Sequence, residues 1–239
     1  MANKNAVITL KIDGVDISGI DGQTILEVAQ ESGIDIPTLC QVDGLSAMGG
    51  CRLCLVEIEG IPKLLPSCTT AIAEGMDIKT DSEKLLKYRQ TVLSLIFSER
   101  NHICAVCVSN GHCDLQAMLQ RLDMDHIKVP YLFPKVEIDA THERFVLDHN
   151  RCILCSACNR VCAEIEGAFT KGVKNRGIET RVINDFDDKW GEATSCTSCG
   201  KCVQVCPTGA LFEKGKAVAE QLKRDSFVEY IRAMRAPSE

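Results

Sequence analysis

The chain has 239 residues, enough for one to three domains, and is 45% hydrophobic but only 5% aromatic, so its core is expected to be modest and aliphatic. A formal net charge of −6 excludes the basic stripe of a nucleic-acid binder and favours redox partners with a basic docking face. Fifteen cysteines could signal a secreted disulfide scaffold, but an odd number cannot pair completely, and the opening Met1-Ala2-Asn3-Lys4-Asn5 lacks a signal-peptide core. No apolar run approaches the ~18–20 residues of a membrane span. The chain therefore reads as a cytoplasmic protein with no transmembrane segment, and clustered thiols in a reducing compartment mean metal.

Val7 to Val15 alternates apolar and polar residues and turns at Asp13-Gly14, the pattern of a half-buried hairpin. Thr24-x-x-Glu27 is a capping box that opens a helix from Ile25 to Ser32, and Gly33 stops it. Cys40, Cys51, Cys54 and Cys68 follow, interleaved with strand-like runs at Leu53–Glu59, Lys63–Leu65 and Met76–Lys79. Two strands, a helix and further strands resemble the β-grasp layout of [2Fe–2S] ferredoxins. Four thiolates are the ligand set of such a cluster, although the spacing C-x10-C-x2-C-x13-C departs from the plant type; a structural zinc or unliganded buried cysteines are the alternatives. The loop from Gly44 to Gly50 is glycine-rich, as expected where backbone N–H groups must approach inorganic sulfide.

Asp81 or Ser82 should cap a longer helix with Leu85, Tyr88, Val92 and Ile96 on one face. Behind it stands His102-x-Cys104-x2-Cys107-x5-Cys113, leading into a helix from Asp114 to Leu122. Three thiols cannot complete an ordinary four-iron cube. His102, two residues before Cys104, is the expected fourth ligand, since His112 sits directly beside Cys113; a non-protein fourth ligand or a three-iron cluster is the alternative. By analogy with Rieske centres, a neutral imidazole should raise the potential of that [4Fe–4S] cluster. Asp123 to Lys135, with Pro130 and Pro134, reads as a linker.

After a strand at Glu143–Asp148 comes Cys152-x2-Cys155-x2-Cys158-x3-Cys162, and then the same spacing again as Cys196, Cys199, Cys202 and Cys206 followed by Pro207. This is the bacterial signature for two [4Fe–4S] clusters, in which the displaced fourth cysteine serves the other site. Cys206 should therefore complete Cys152, Cys155 and Cys158, and Cys162 should complete Cys196, Cys199 and Cys202. Paired zinc sites would have no use for a third cysteine at the same interval plus a displaced fourth. Between the motifs, Gly167 to Asp188 should form a hairpin insert turning at Asn175-Arg176-Gly177. Thr208-Gly209-Ala210 is the tight turn after Cys-Pro, and Lys216 to Arg235 reads as a helix with Val218, Leu222, Phe227, Tyr230, Ile231 and Met234 in an apolar stripe. All fifteen cysteines are then assigned, with no P-loop or dinucleotide fingerprint beside them.

The order of these motifs resembles the N-terminal iron–sulfur region of the large complex I subunit and of iron-only hydrogenases. At this length the chain looks like the small diaphorase subunit of bidirectional, NAD(P)-linked nickel–iron hydrogenases. Complex I relatives carry His-x3-Cys, whereas here Arg100 occupies that place and His102 gives His-x-Cys, which favours the hydrogenase branch. The resemblance implies an α+β chain with five parts: a β-grasp [2Fe–2S] ferredoxin domain (1–80), a helical His/Cys3 [4Fe–4S] segment (81–123), a linker (124–139), a bacterial-type 2[4Fe–4S] ferredoxin domain (140–216) and a C-terminal helix (217–239). It would be a non-catalytic electron wire holding one [2Fe–2S] and three [4Fe–4S] clusters. Its partners would be a flavin- and NAD(P)-binding diaphorase subunit and the small and large nickel–iron hydrogenase subunits, with ferredoxin or flavodoxin as a side entry. Competing readings are the same wire in an NAD-linked formate dehydrogenase or a split complex I, or an iron–sulfur carrier or redox sensor.

Overall fold

The computed structural model describes residues 6–235; the leading Met1–Asn5 stretch and the last four residues of the expected terminal segment lie outside the described residues. By contact the chain divides into two units. One runs to Gln41 and includes Ala47–Val92, and the other combines Val42–Ser46 with the described residues from Leu93 onward.

In the first unit the opening alternation becomes β1 (Val7–Ile12) and β2 (Val15–Ile20), paired antiparallel. Asp13 and Gly14 both take positive φ, 51° and 81°, as a two-residue hairpin with right-handed twist requires. The capping box forms in full around α1 (Ile25–Glu31): Thr24 Oγ1 accepts from Glu27 N at 3.2 Å, and Glu27 Oε2 accepts from Thr24 N at 2.7 Å. Gly19 on β2 permits the close approach of this helix, since a Cβ there would stand 2.6 Å from Val28 Cγ2. β3 (Leu55–Ile58), β4 (Ile61–Pro66) and β5 (Asp77–Lys79) complete a five-stranded sheet in the order β2-β1-β5-β3-β4. Only β1 and β5 run parallel, which makes this the β-grasp arrangement over a core of Leu10, Ile12, Ile25, Leu26, Val56 and Ile78.

Ser82, rather than Asp81, caps α2 (Glu83–Ser98): its Oγ accepts from Leu85 N at 3.2 Å. The buried face of α2 differs from the expected one. Leu85, Arg89, Leu93 and Phe97 are buried at intervals of four, whereas Tyr88 is exposed. The apolar residues alone point to the neighbouring stripe, because a period counted on apolar side chains passes over a buried arginine. Its guanidinium instead donates to the carbonyls of Leu53 (3.0 Å), Leu55 (3.0 Å) and Thr80 (2.8 Å).

In the second unit a 3-10 turn at Cys104–Val106 precedes α3 (Asp114–Arg121). The Pro-rich stretch after it has no regular element but is tied down, with Leu132 N donating to Ser98 O (3.0 Å) and Asn101 Nδ2 to Pro134 O (3.0 Å). Then come β6 (Ile138–Asp139), β7 (Phe145–Asp148) and α4 (Ala157–Arg160), which widens into a π-helical turn over Val161–Glu166. The expected insert is an antiparallel ribbon of β8 (Lys171–Lys174) and β9 (Arg181–Asn184). α5 (Lys201–Gln204) and β10 (Leu211–Glu213) follow, and β10-β7-β6 form a small sheet. The core gathers Phe145, Leu147, Val161, Ile165, Trp190, Val203 and Leu211 around the cysteines.

The terminal helix is shorter than its stripe suggested: α6 spans Phe227–Arg235 only. Before it, backbone donors are used elsewhere, Ala219 N on Cys107 O (3.2 Å), Gln221 N on Val108 O (2.9 Å) and Arg224 N on Gln204 O (2.9 Å). Ala219 also has φ +66°, outside the right-handed helix region. Val218 and Leu222 are accordingly exposed, and α6 buries Val228 while Phe227 and Ile231 pack on the core. No described helix is long and apolar enough to cross a membrane.

Candidate iron–sulfur sites

All fifteen cysteines carry free thiols. The β-grasp unit brings Cys40, Cys51, Cys54 and Cys68 together: Cys40 and Cys51 share a hydrogen bond, and the sulfurs of Cys54 and Cys68 are 3.4 Å apart. Cys40, Cys54 and Cys68 are buried in a site with four sulfur donors and no carboxylate among them. The hydrogen bond between them draws the Cys54 thiol down to about 6, while that bond and burial push Cys68 up. Backbone N–H groups of Leu39 and Leu53 point at the Cys51 sulfur, the arrangement that steadies a thiolate. The glycine-rich loop divides its labour differently from expectation. Gly44 lies in the second unit, where a Cβ would meet the Glu229 backbone at 3.0 Å, so its glycine serves packing against α6.

His102, Cys104, Cys107 and Cys113 line one cavity of about 300 Å³ together with Phe97, Arg151 and Gly209. The His102 Nε2 atom is buried without a hydrogen-bond partner, an orphaned donor or acceptor of the kind a metal satisfies. Burial, then the charges of Arg100 and Arg151, lower the His102 pKa to about 4, so the ring is neutral and offers a lone pair at pH 7. Burial pushes Cys113 up to about 12 against backbone donors from Gln116 and Leu115; a bound cation would replace that proton. His112 is exposed and is not among the residues lining the cavity. Sequence reasoning missed Gly209, taken for part of a tight turn. A Cβ on it would fall 2.5 Å from Cys107 Sγ, so the residue also lets the Pro207–Ala210 chain press against this thiol. Arg100 donates to Thr180 O (2.7 Å) and Ile178 O (3.2 Å), holding the ribbon turn.

Cys152, Cys155, Cys158 and Cys206 line a second cavity of about 350 Å³, which is the cross-motif grouping expected of the spacing. Burial raises Cys152 to about 11 and Cys155 further. The other grouping is also drawn together: Cys202 is raised to about 12 by burial and by the thiols of Cys199, Cys162 and Cys196, with Lys171 opposing. Both loops use the same backbone device. Leu154 and Ser156 have φ 54° and 55°, and Ser198 and Gly200, at the equivalent places in the second motif, have φ 55° and 74°. Alternating hand turns successive N–H groups to one side, an anion-accepting nest. Thus N–H groups of Leu154 and Ala157 reach the sulfurs of Cys152 and Cys155. Also unforeseen was Trp190, whose indole N–H donates to Cys196 Sγ at 3.3 Å. Donor sets of thiols, joined in one by His102, with N–H groups aimed at several of the sulfurs, fit iron–sulfur clusters.

Comparison with known proteins agrees. Residues 5–83 match the family described as a 2Fe-2S iron-sulfur cluster binding domain, residues 89–128 the NADH-ubiquinone oxidoreductase-G iron-sulfur binding region, and residues 151–210 a 4Fe-4S dicluster domain. The NADPH-Fe(3+) oxidoreductase subunit alpha of Geobacter sulfurreducens is 38% identical over 217 residues, 87% of this chain but only 24% of that protein, so the chain spans about a quarter of that relative. The NAD-reducing hydrogenase HoxS subunit gamma of Cupriavidus necator is 29% identical over 95% of this chain and 96% of its own. A chain in the crystal structure of NAD+-reducing [NiFe]-hydrogenase in the H2-reduced state superposes with a TM-score of 0.83 at 34% identity, covering 89% of each chain. The chain therefore belongs to the family of iron–sulfur electron-transfer subunits represented by that chain of the NAD+-reducing [NiFe]-hydrogenase.

Proposed function

We propose that this chain relays single electrons between a flavin- and NAD(P)-binding diaphorase subunit and the small and large subunits of a nickel–iron hydrogenase, in the cytoplasm. The observation that carries the reading is the end-to-end likeness to a chain of the NAD+-reducing hydrogenase, 89% of both. Four clusters are assigned: a [2Fe–2S] at Cys40, Cys51, Cys54 and Cys68, and [4Fe–4S] clusters at His102/Cys104/Cys107/Cys113, at Cys152/Cys155/Cys158/Cys206 and at Cys162/Cys196/Cys199/Cys202. The five-part division of the chain set out from its motifs follows these sites. A bound cluster supplies one-electron storage. The chain supplies thiolates, one imidazole, backbone N–H donors to sulfur, and burial that keeps water away. These are the levers by which a protein sets a cluster's potential.

Affinity capture of the native complex, followed by mass spectrometry, tests the assignment. A flavin-binding subunit and nickel–iron subunits should appear together. Co-purification with a molybdenum formate dehydrogenase subunit, or with membrane-arm subunits of a complex I, would replace the hydrogenase reading with one of its competitors.

A further inference from the structure

Lys171 opens β8 with its ammonium in the core. The residue is 6% exposed, its Nζ lies 3.3 Å from the centroid of the Trp190 ring, and it donates to Asn184 Oδ1 at 2.5 Å. Asn184 is its register partner across the ribbon, and it is a neutral amide rather than a carboxylate. Trp190 in turn donates to Cys196 Sγ and shares a core cluster with Cys158 and Cys202. Burial lowers the pKa of this lysine, and the sulfurs of Cys202, Cys158, Cys196 and Cys162, drawn from both four-cysteine sets, would oppose that as cluster-bound thiolates. Burying a lone ammonium costs several kcal/mol unless an opposite charge faces it. A cation–π contact over tryptophan offsets part of that cost.

We infer that Lys171 is the fixed counter-charge of the two-cluster domain, raising the reduction potentials of both four-iron centres between Cys152 and Cys206, most strongly the one at Cys162, Cys196, Cys199 and Cys202. Each one-electron reduction adds a negative charge, so a cation held nearby favours the reduced form of either centre. The stronger effect belongs where Cys202 and the Trp190–Cys196 contact lie. Lys171 reaches this place because the β8–β9 ribbon is inserted between the two motifs. Two loops of identical spacing thereby acquire different electrostatic surroundings. The inference rests on the proposed cluster assignment.

The test is an EPR-monitored redox titration of the full chain, purified anaerobically with its iron counted. In Lys171→Gln both centres should become harder to reduce, the larger change being about tenfold in the reduction equilibrium, 59 mV for one electron. The [2Fe–2S] and His102-associated signals should stay in place. Lys171→Arg, which keeps the charge, should return the potentials to within about twofold of wild type. Asn184→Asp keeps the lysine but neutralises it, and should shift the same two centres downward, which decides the matter if the glutamine variant fails to assemble. Unmoved potentials in Asn184→Asp, or equal shifts in the Gln and Arg variants, would overturn the inference. A wild-type chain without iron would instead remove the cluster assignment itself.

Discussion

At the scale of the residue, the decisive placement is His102. Its ring lies 5.1 Å from that of Phe97, its Nε2 is buried without a hydrogen-bond partner, and the residue lines a cavity with three cysteines. A buried imidazole nitrogen left unpaired costs about 1–3 kcal/mol, which something in that cavity has to recover. His102→Ala should therefore abolish or alter one [4Fe–4S] signal in the reduced-state EPR spectrum and leave the other centres intact, with iron falling by up to roughly four atoms per chain. An unchanged spectrum would remove His102 from the ligand set. The repeated cysteine spacing stands out in the sequence itself, because a thiol every third residue has few other uses. Trp190, Lys171 and Gly209 do not, because they reach the sulfurs through tertiary contacts that leave no local pattern.

Among the elements, α2 shows how a charge can belong to a core. Arg89 lies on the helix face that also buries Leu85, and three backbone carbonyls near the Cys51–Cys54 loop and the end of β5 receive its guanidinium. Charged hydrogen bonds are each worth about 1.5–3 kcal/mol, and removing the donor leaves buried carbonyls unsatisfied. Arg89→Met should thus cost about 3 kcal/mol or more, read as a lower denaturant midpoint for loss of the [2Fe–2S] visible absorbance. A change under about 0.5 kcal/mol would mean that water replaces the side chain freely. Most element positions followed from pattern: the hairpin with its Asp13-Gly14 turn, the capped α1, the ribbon insert. The terminal stretch departs from its pattern for a different reason from α2. The Lys216–Ser226 stretch has a helical period, yet its N–H groups are taken by Cys107, Val108 and Gln204, and long-range backbone pairing overrides local amphipathicity.

For the molecule as a whole, the proposed assignment of fifteen thiols and one imidazole to four clusters makes the inorganic content a strict accounting check. Anaerobically purified chain should contain roughly fourteen iron atoms, two for one [2Fe–2S] and twelve for three [4Fe–4S]. Because most of the sulfurs are buried or half-buried, a mild chelator should strip this iron slowly; rapid and complete loss would point to a carrier, and predominant zinc would end the electron-relay reading. The fold class was legible because its modules recur as sequence units. How the modules are electrically tuned was not, since buried cations such as Arg100 and Lys171 look in sequence like any surface residue.

The matched left-handed residues of the two cysteine loops bear on how the protein comes into being. Leu154, Ser156 and Ser198 each hold a backbone angle that disfavours an L-residue by about 1–2 kcal/mol. A nascent chain has no incentive to adopt those angles until sulfide and iron are there to receive the N–H groups. On the proposed cluster assignment, maturation of this region should be a joint event, with cargo delivery closing the loops, and chains made without iron should stay slack between Cys152 and Cys206.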